Sequence, residues 1–129
     1  LNPDCCEKKS EFNQMCYKFH CTETVRRIIE KLNTKKPHTI CFQSRFGRDK
    51  WIDPDILDVL QKFADDGVEN ITVICPSFVA DCLETLEEIS IRDDEIFKEM
   101  GGGSLELVPS LNSSDDWVKG FADFLKKNS

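Results

Sequence analysis

Three short apolar runs, set between helix-length amphipathic stretches, leave this chain few folds to choose from. The runs are "HTICFQS" (residues 38–44), "NITVICP" (70–76) and "SLELVP" (104–109). Each is rich in β-branched, aromatic or leucine side chains and too short for a helix, as buried strands are. Strands that alternate with helices need crossover connections, and crossovers give a parallel sheet covered by helices. The expected class is therefore α/β with a short, mostly parallel sheet. Three strands make a meagre sheet, so a further strand is expected upstream, missing from the chain.

The helical stretches are read from apolar spacing. Val25, Ile28, Ile29 and Leu32 recur at three and four residues, predicting a helix from Thr22 to Asn33. Ile56, Leu57, Val59, Leu60 and Phe63 predict a second, with Asp53 as N-cap, Pro54 at its first position and Gly67 at its end. A third is expected over residues 79–90 and a further turn or two through "RDDEIFKEM", before "GGG" (101–103) breaks the chain. The last follows "NSS", with Trp117, Phe121, Phe124 and Leu125 on one side. In open parallel sheets ligands bind beyond the carboxyl ends of the strands. Those ends are "QSRFGRDKW", "CPSFVADCLE" and "PSLNSS".

Composition narrows the function classes. A formal net charge of −7 argues against nucleic acid as the main partner. No apolar run approaches the roughly 18 residues of a membrane span. The chain opens on Leu1 rather than Met, as a piece of a longer protein would. Seven cysteines are an odd number. Cys41, Cys75 and Cys82 lie in apolar or helical surroundings and read as small buried residues of a reducing compartment. Cys5, Cys6, Cys16 and Cys21 instead crowd a polar segment, residues 1–21, expected to be a loop. Disulfide partners, metal ligands and ordinary thiols are the alternatives, and a reducing compartment favours metal. Four thiolates suit either a tetrahedral zinc or an iron–sulfur cluster. The adjacent Cys5–Cys6 pair is more easily accommodated around a two-iron rhomb. His20 reads as a bystander and His38 as a surface residue at a strand end.

"DCLETLEE" places Asp81, Glu84 and Glu88 at i, i+3 and i+7. At about 100° per residue they share a sector of about 60°, with Cys82, Leu86 and Ile89 opposite. A solvated acidic face would look the same. The position, directly at a strand's carboxyl end, suits a ladder of carboxylates that handles a hard cation or takes up protons. Like charges this close are expected to raise at least one carboxyl pKa.

"FQSRFGRDKWIDP", "VICPSFVADCLETLEEI" and "LVPSLNSS" together resemble the C-terminal half of ferrochelatases, in that family's order and spacing, from about Cys16 onward. The resemblance implies a Rossmann-like, chelatase-type domain over residues 22–129. It implies insertion of ferrous iron, the substrate Fe2+, into protoporphyrin IX in a cleft shared with the N-terminal half of the same protein. Glu84 resembles the family's cleft glutamate, and Asp81 and Glu88 other members of its acidic row. Trp51 and Phe78 match cleft aromatics near the macrocycle, and Ser44 and Arg45 the polar loop beside it. An aromatic at a strand end is otherwise simply core. The family's histidine in an S-x-H-G strand has no counterpart here, so the isolated chain is expected to be inactive.

"NQMCYKFHCTET" is similar to the end of an internal segment that carries a [2Fe–2S] cluster in some bacterial members, which makes Cys5, Cys6, Cys16 and Cys21 its candidate ligands. A non-catalytic module binding a cluster or haem is the alternative function. A cobalt or sirohydrochlorin chelatase is disfavoured by the "FQSR…W" and "DCLETLEE" pair. The expected location is cytoplasmic, with peripheral association with the inner membrane left open.

Overall fold

The computed structural model describes residues 10–11, 13–44, 47 and 51–129. It forms two compact units, Leu1–Val59 and Leu60–Ser129.

In the first unit, helix α1 spans Tyr17–Leu32, five residues earlier than the Val25–Leu32 periodicity predicts. The last five residues of the expected cysteine-rich loop are therefore helical. Phe19 gives the added turn a reason: it is buried, with its ring edge-on to His20 at 5.5 Å. Asn13 is also buried, and its side-chain oxygen accepts the Ser10 amide to close the preceding turn. On the exposed face Glu23 is bridged by Arg26 and Arg27. Arg26 first, then Arg27, holds its carboxyl at about 2. Asn33, left-handed at φ 49°, ends the helix.

The expected strand at residues 38–44 does not form. Its backbone makes one isolated parallel bridge, Phe42 with Asp55: the Phe42 amide donates to Pro54 O and the Ile56 amide to Phe42 O. A strand needs a ladder of such pairs, and none continues past Phe42 among the described residues. Helix α2, Ile56–Asp65, is capped by Asp55, whose carboxylate accepts the Leu57 amide at 2.9 Å. Asp53, the expected cap, instead precedes a cis peptide bond to Pro54. At the other end Gly67 (φ 72°) donates to Ala64 O and Val68 to Phe63 O. That paired closure is the one a left-handed glycine makes possible.

The second unit is built on two parallel strands. β1, Asn70–Val73, pairs residue for residue with β2, Ser104–Leu107. Both are shorter than the apolar runs that announce them. Within the crossover a π-helix, Glu84–Asp93, runs directly into α3, Asp94–Glu99. The sequence predicts an ordinary helix beginning near residue 79, so both winding and start differ.

The reason for the winding lies in the burial. Thr85, Ile89, Asp93 and Phe97 are all 0% exposed and recur every four residues. At 3.6 residues per turn, such a row drifts by about 40° per step. The wider π turn, with i→i+5 hydrogen bonds, keeps it facing inward. Leu86, expected on the core side, is consequently exposed.

Two contacts fasten the crossover to β2. Asp94 accepts the Leu105 amide at 2.8 Å and pairs with Lys98. Gly102 lies against the Phe97 ring, where any Cβ would collide with its outer edge. Helix α4, Asp115–Asn128, closes the chain with none of its residues buried. Trp117, Phe121 and Phe124 stack along it as the periodicity predicts, with centroids 5.0 and 6.3 Å apart, and line an open groove of about 390 Å³. Gly102→Ala in the full-length protein is expected to cost about 2 kcal/mol through overpacking. Urea unfolding checks this; an unchanged midpoint would show that the ring can yield.

Candidate functional site

β1 ends at Val73, and the chain turns through Cys75–Phe78, closed by the Phe78 amide donating to Cys75 O at 3.0 Å. Phe78 is half-buried at this strand end. Asp81 follows, before the helix rather than on it. The 60° sector of three carboxylates therefore does not exist as the regular-helix spacing predicts.

The Asp81 carboxylate is held by three donors: Asn112 Nδ2 at 2.8 Å, the Ser110 amide at 3.1 Å and the Thr85 hydroxyl at 3.2 Å. Its own amide donates to Asn112 Oδ1 at 2.9 Å, and the Asn112 amide donates to Val79 O. Asn112 sits at φ 50°, a left-handed conformation asparagine tolerates. The loop after β1 is thus tied to the loop after β2. Asn112 foremost, then the Ser110 amide, holds the Asp81 carboxyl below its ordinary value.

Glu84 and Glu88 lie four residues apart on the π-helix, each one residue before a buried member of the inner row. Glu84 is exposed. The Cys82 side chain beside it, then its own backbone amide, lower its carboxyl. Glu88 is half-buried and accepts Arg92 Nη2 at 2.8 Å; Arg92 also reaches Asp93. Glu88, more than Asp93, holds the Arg92 guanidinium above its usual value. The expectation of a raised carboxyl is overturned at Asp81 and Glu84: hydrogen-bond donors at each outweigh the raising effect of burial.

Ser44 and Trp51 belong to the first unit. Trp51 is 36% exposed, and its indole N–H donates to Gln43 O at 3.2 Å. Gln43 in turn donates to the Ser44 hydroxyl, and Ser44 is left-handed at φ 60°. Arg45, Cys5 and Cys6 lie outside the described residues. Cys16 immediately precedes α1 and Cys21 lies within it; both are half-buried free thiols. Among the described residues no three His, Cys, Asp or Glu side chains are grouped closely enough to hold a metal. His20 is engaged elsewhere, its Nε2 lying 2.8 Å from Gln14 O.

Sequence reasoning missed Asn112, Thr85 and Arg92. Asn112 stands in the quoted strand-end loop "PSLNSS", and Thr85 four residues after Asp81. Only the distances reveal their roles.

A family model described as ferrochelatase matches residues 5–129. This chain belongs to the ferrochelatase family. A ferrochelatase of Bdellovibrio bacteriovorus is 48% identical over 124 residues, covering 95% of this chain and 37% of that relative. One from Coxiella burnetii is 44% identical, covering 95% and 35%, and one from Pseudomonas putida 44%, covering 96% and 37%. The chain thus spans a little over a third of the length of these ferrochelatases.

The Asp81 carboxyl titrates lower in the fold than its free value of about 3.9, so its contribution is complete above that value and is lost as pH falls through the lower one. Urea unfolding of the full-length protein at pH 7, 4 and 3 should show a smaller acid-linked loss of stability for Asp81→Asn than for the wild type. Equal losses would mean that the three donors do not favour the ionised form.

Proposed function

We propose that this chain is the C-terminal part of an enzyme that inserts Fe2+ into protoporphyrin IX, completing haem. The observation that carries the proposal is the family match over residues 5–129, together with the Glu84–Glu88 row on the helix that follows a parallel strand's carboxyl end. Insertion exchanges charge for charge: one Fe2+ enters the macrocycle as two pyrrole protons leave. Glu84, exposed and held ionised, attracts the cation and passes protons outward rather than storing them near neutral pH. Glu88, already paired with Arg92, is the more constrained of the two. Trp51, Phe78, Ser44 and Arg45 are the proposed porphyrin-binding residues by family resemblance, and within the first unit Gln43 O accepts the Trp51 indole N–H.

The N-terminal half of the same protein supplies the remaining cleft and the base that this chain lacks, so the chain alone is inactive. The protein is cytoplasmic in this reading, with a peripheral membrane contact compatible with it. No described helix is long and apolar enough to cross a membrane.

Cys5, Cys6, Cys16 and Cys21 would hold a [2Fe–2S] cluster. Two observations fit: Cys16 and Cys21 are free thiols beside the start of α1, and His20 is engaged with Gln14 rather than competing as a ligand. The cluster would cross-link the segment ahead of α1, and no step of chelation is assigned to it.

Glu84→Gln in the full-length enzyme should slow iron insertion by about 100-fold or more with folding intact. Near-normal turnover would refute the role given to Glu84. Anaerobically purified protein should be coloured and contain iron and acid-labile sulfide in equal amounts, and Cys16→Ser should bleach it. A colourless, zinc-loaded preparation would sink the cluster.

A further inference from the structure

We propose that Asp81 and Asn112 form a latch that positions Glu84, so that Asp81 is a positioning residue rather than a proton acceptor. The pair is reciprocal: the Asp81 amide donates to Asn112 Oδ1 at 2.9 Å, and Asn112 Nδ2 donates to Asp81 Oδ2 at 2.8 Å. The partners stand 31 residues apart, on the loops that follow β1 and β2. The other carboxylate oxygen is taken by the Ser110 amide and the Thr85 hydroxyl. Three of the roughly four acceptor positions of the carboxylate are therefore occupied from within the protein, which leaves it poorly placed to receive a substrate proton.

The same contacts determine where the helix starts. Thr85 is fully buried, and its hydroxyl touches Asp81, accepts the Cys82 amide at 3.0 Å and lies 3.1 Å from Cys82 O. The Cys82 carbonyl also accepts the Thr85 and Leu86 amides, at 3.1 and 2.8 Å. Glu84 sits between these anchored residues. Its backbone direction follows from two loops being held together at Asp81, and its carboxylate inherits that direction. Small displacements of a working group are costly in rate, which gives such a latch its value.

The inference rests on Glu84 being the working carboxylate, and the test separates the two. In the full-length enzyme, Asn112→Asp sets two carboxylates against each other while keeping a side chain that tolerates the left-handed backbone. It should lower kcat for iron insertion at least about tenfold. Asn112→Gly keeps the backbone freedom, removes the amide and should act in the same direction. The swapped double variant Asp81→Asn/Asn112→Asp restores a carboxamide–carboxylate pair with reversed polarity and should recover activity to within about threefold of the wild type. No carboxylate then remains at position 81, so recovery excludes acid–base chemistry there.

Amide hydrogen exchange over residues 82–88 should quicken at least tenfold in both single variants and return to normal in the swap, while β1 and β2 are unchanged. The latch is overturned if Asn112→Asp and Asn112→Gly keep wild-type rates and exchange, or if the swap is no better than the poorer single variant. If Glu84→Gln is fully active while exchange responds as stated, the reading of Glu84 fails and the latch stands.

Discussion

The second unit depends on one row of side chains, Thr85, Ile89, Asp93 and Phe97, all fully buried and four residues apart. A regular helix carries such a row out of the core within two or three steps, so the chain winds as a π-helix until Asp93 and tightens only afterwards. Much else follows from that winding. Glu84, Glu88 and Arg92 form a parallel row beside the buried one. Phe97 arrives over Gly102, where a side chain has no room, and Asp94 arrives at the Leu105 amide. The carboxylates are placed by the needs of the core next to them.

Electrostatics at Asp81 and Glu84 are governed by hydrogen-bond donors more than by burial. Asp81 faces an amide side chain, a backbone amide and a hydroxyl; Glu84 has Cys82 and its own amide; Glu88 has Arg92. Asp81 and Glu84 are both held below their ordinary carboxyl values by these donors. In the proposed reaction such an arrangement would attract a cation and relay protons rather than store them. It also sorts the row by task, with Asp81 inside a hydrogen-bond network, Glu88 in an ion pair and Glu84 on the exposed face.

A good part of this was legible in the sequence. The alternation of apolar runs and amphipathic stretches announces an α/β unit, and the β1–β2 parallel pair is its realisation. The motifs "VICPSFVADCLETLEEI" and "LVPSLNSS" point to the ferrochelatase family, and the stack of Trp117, Phe121 and Phe124 follows from its spacing. Residues 38–44 show the limit of such reading. Their side chains are those of a strand, yet a strand exists only through its neighbours, and here Phe42 alone finds a bridge, with Asp55. The start of α1 was missed because Phe19, buried two residues into the helix, is interleaved with the polar Lys18, His20, Thr22, Glu23 and Thr24.

By itself, then, the sequence determined which stretches are apolar on one side, where the strand ends fall and which carboxylates gather after β1, because these follow from local spacing and side-chain chemistry. The tertiary structure decided how the crossover helix winds and which carboxylate becomes a tie between loops. Both depend on contacts between residues far apart in the chain. Asn112 reaches Asp81 only after β2 has paired with β1, and the four-residue row is buried only once Leu105 and Gly102 are in place to cover it.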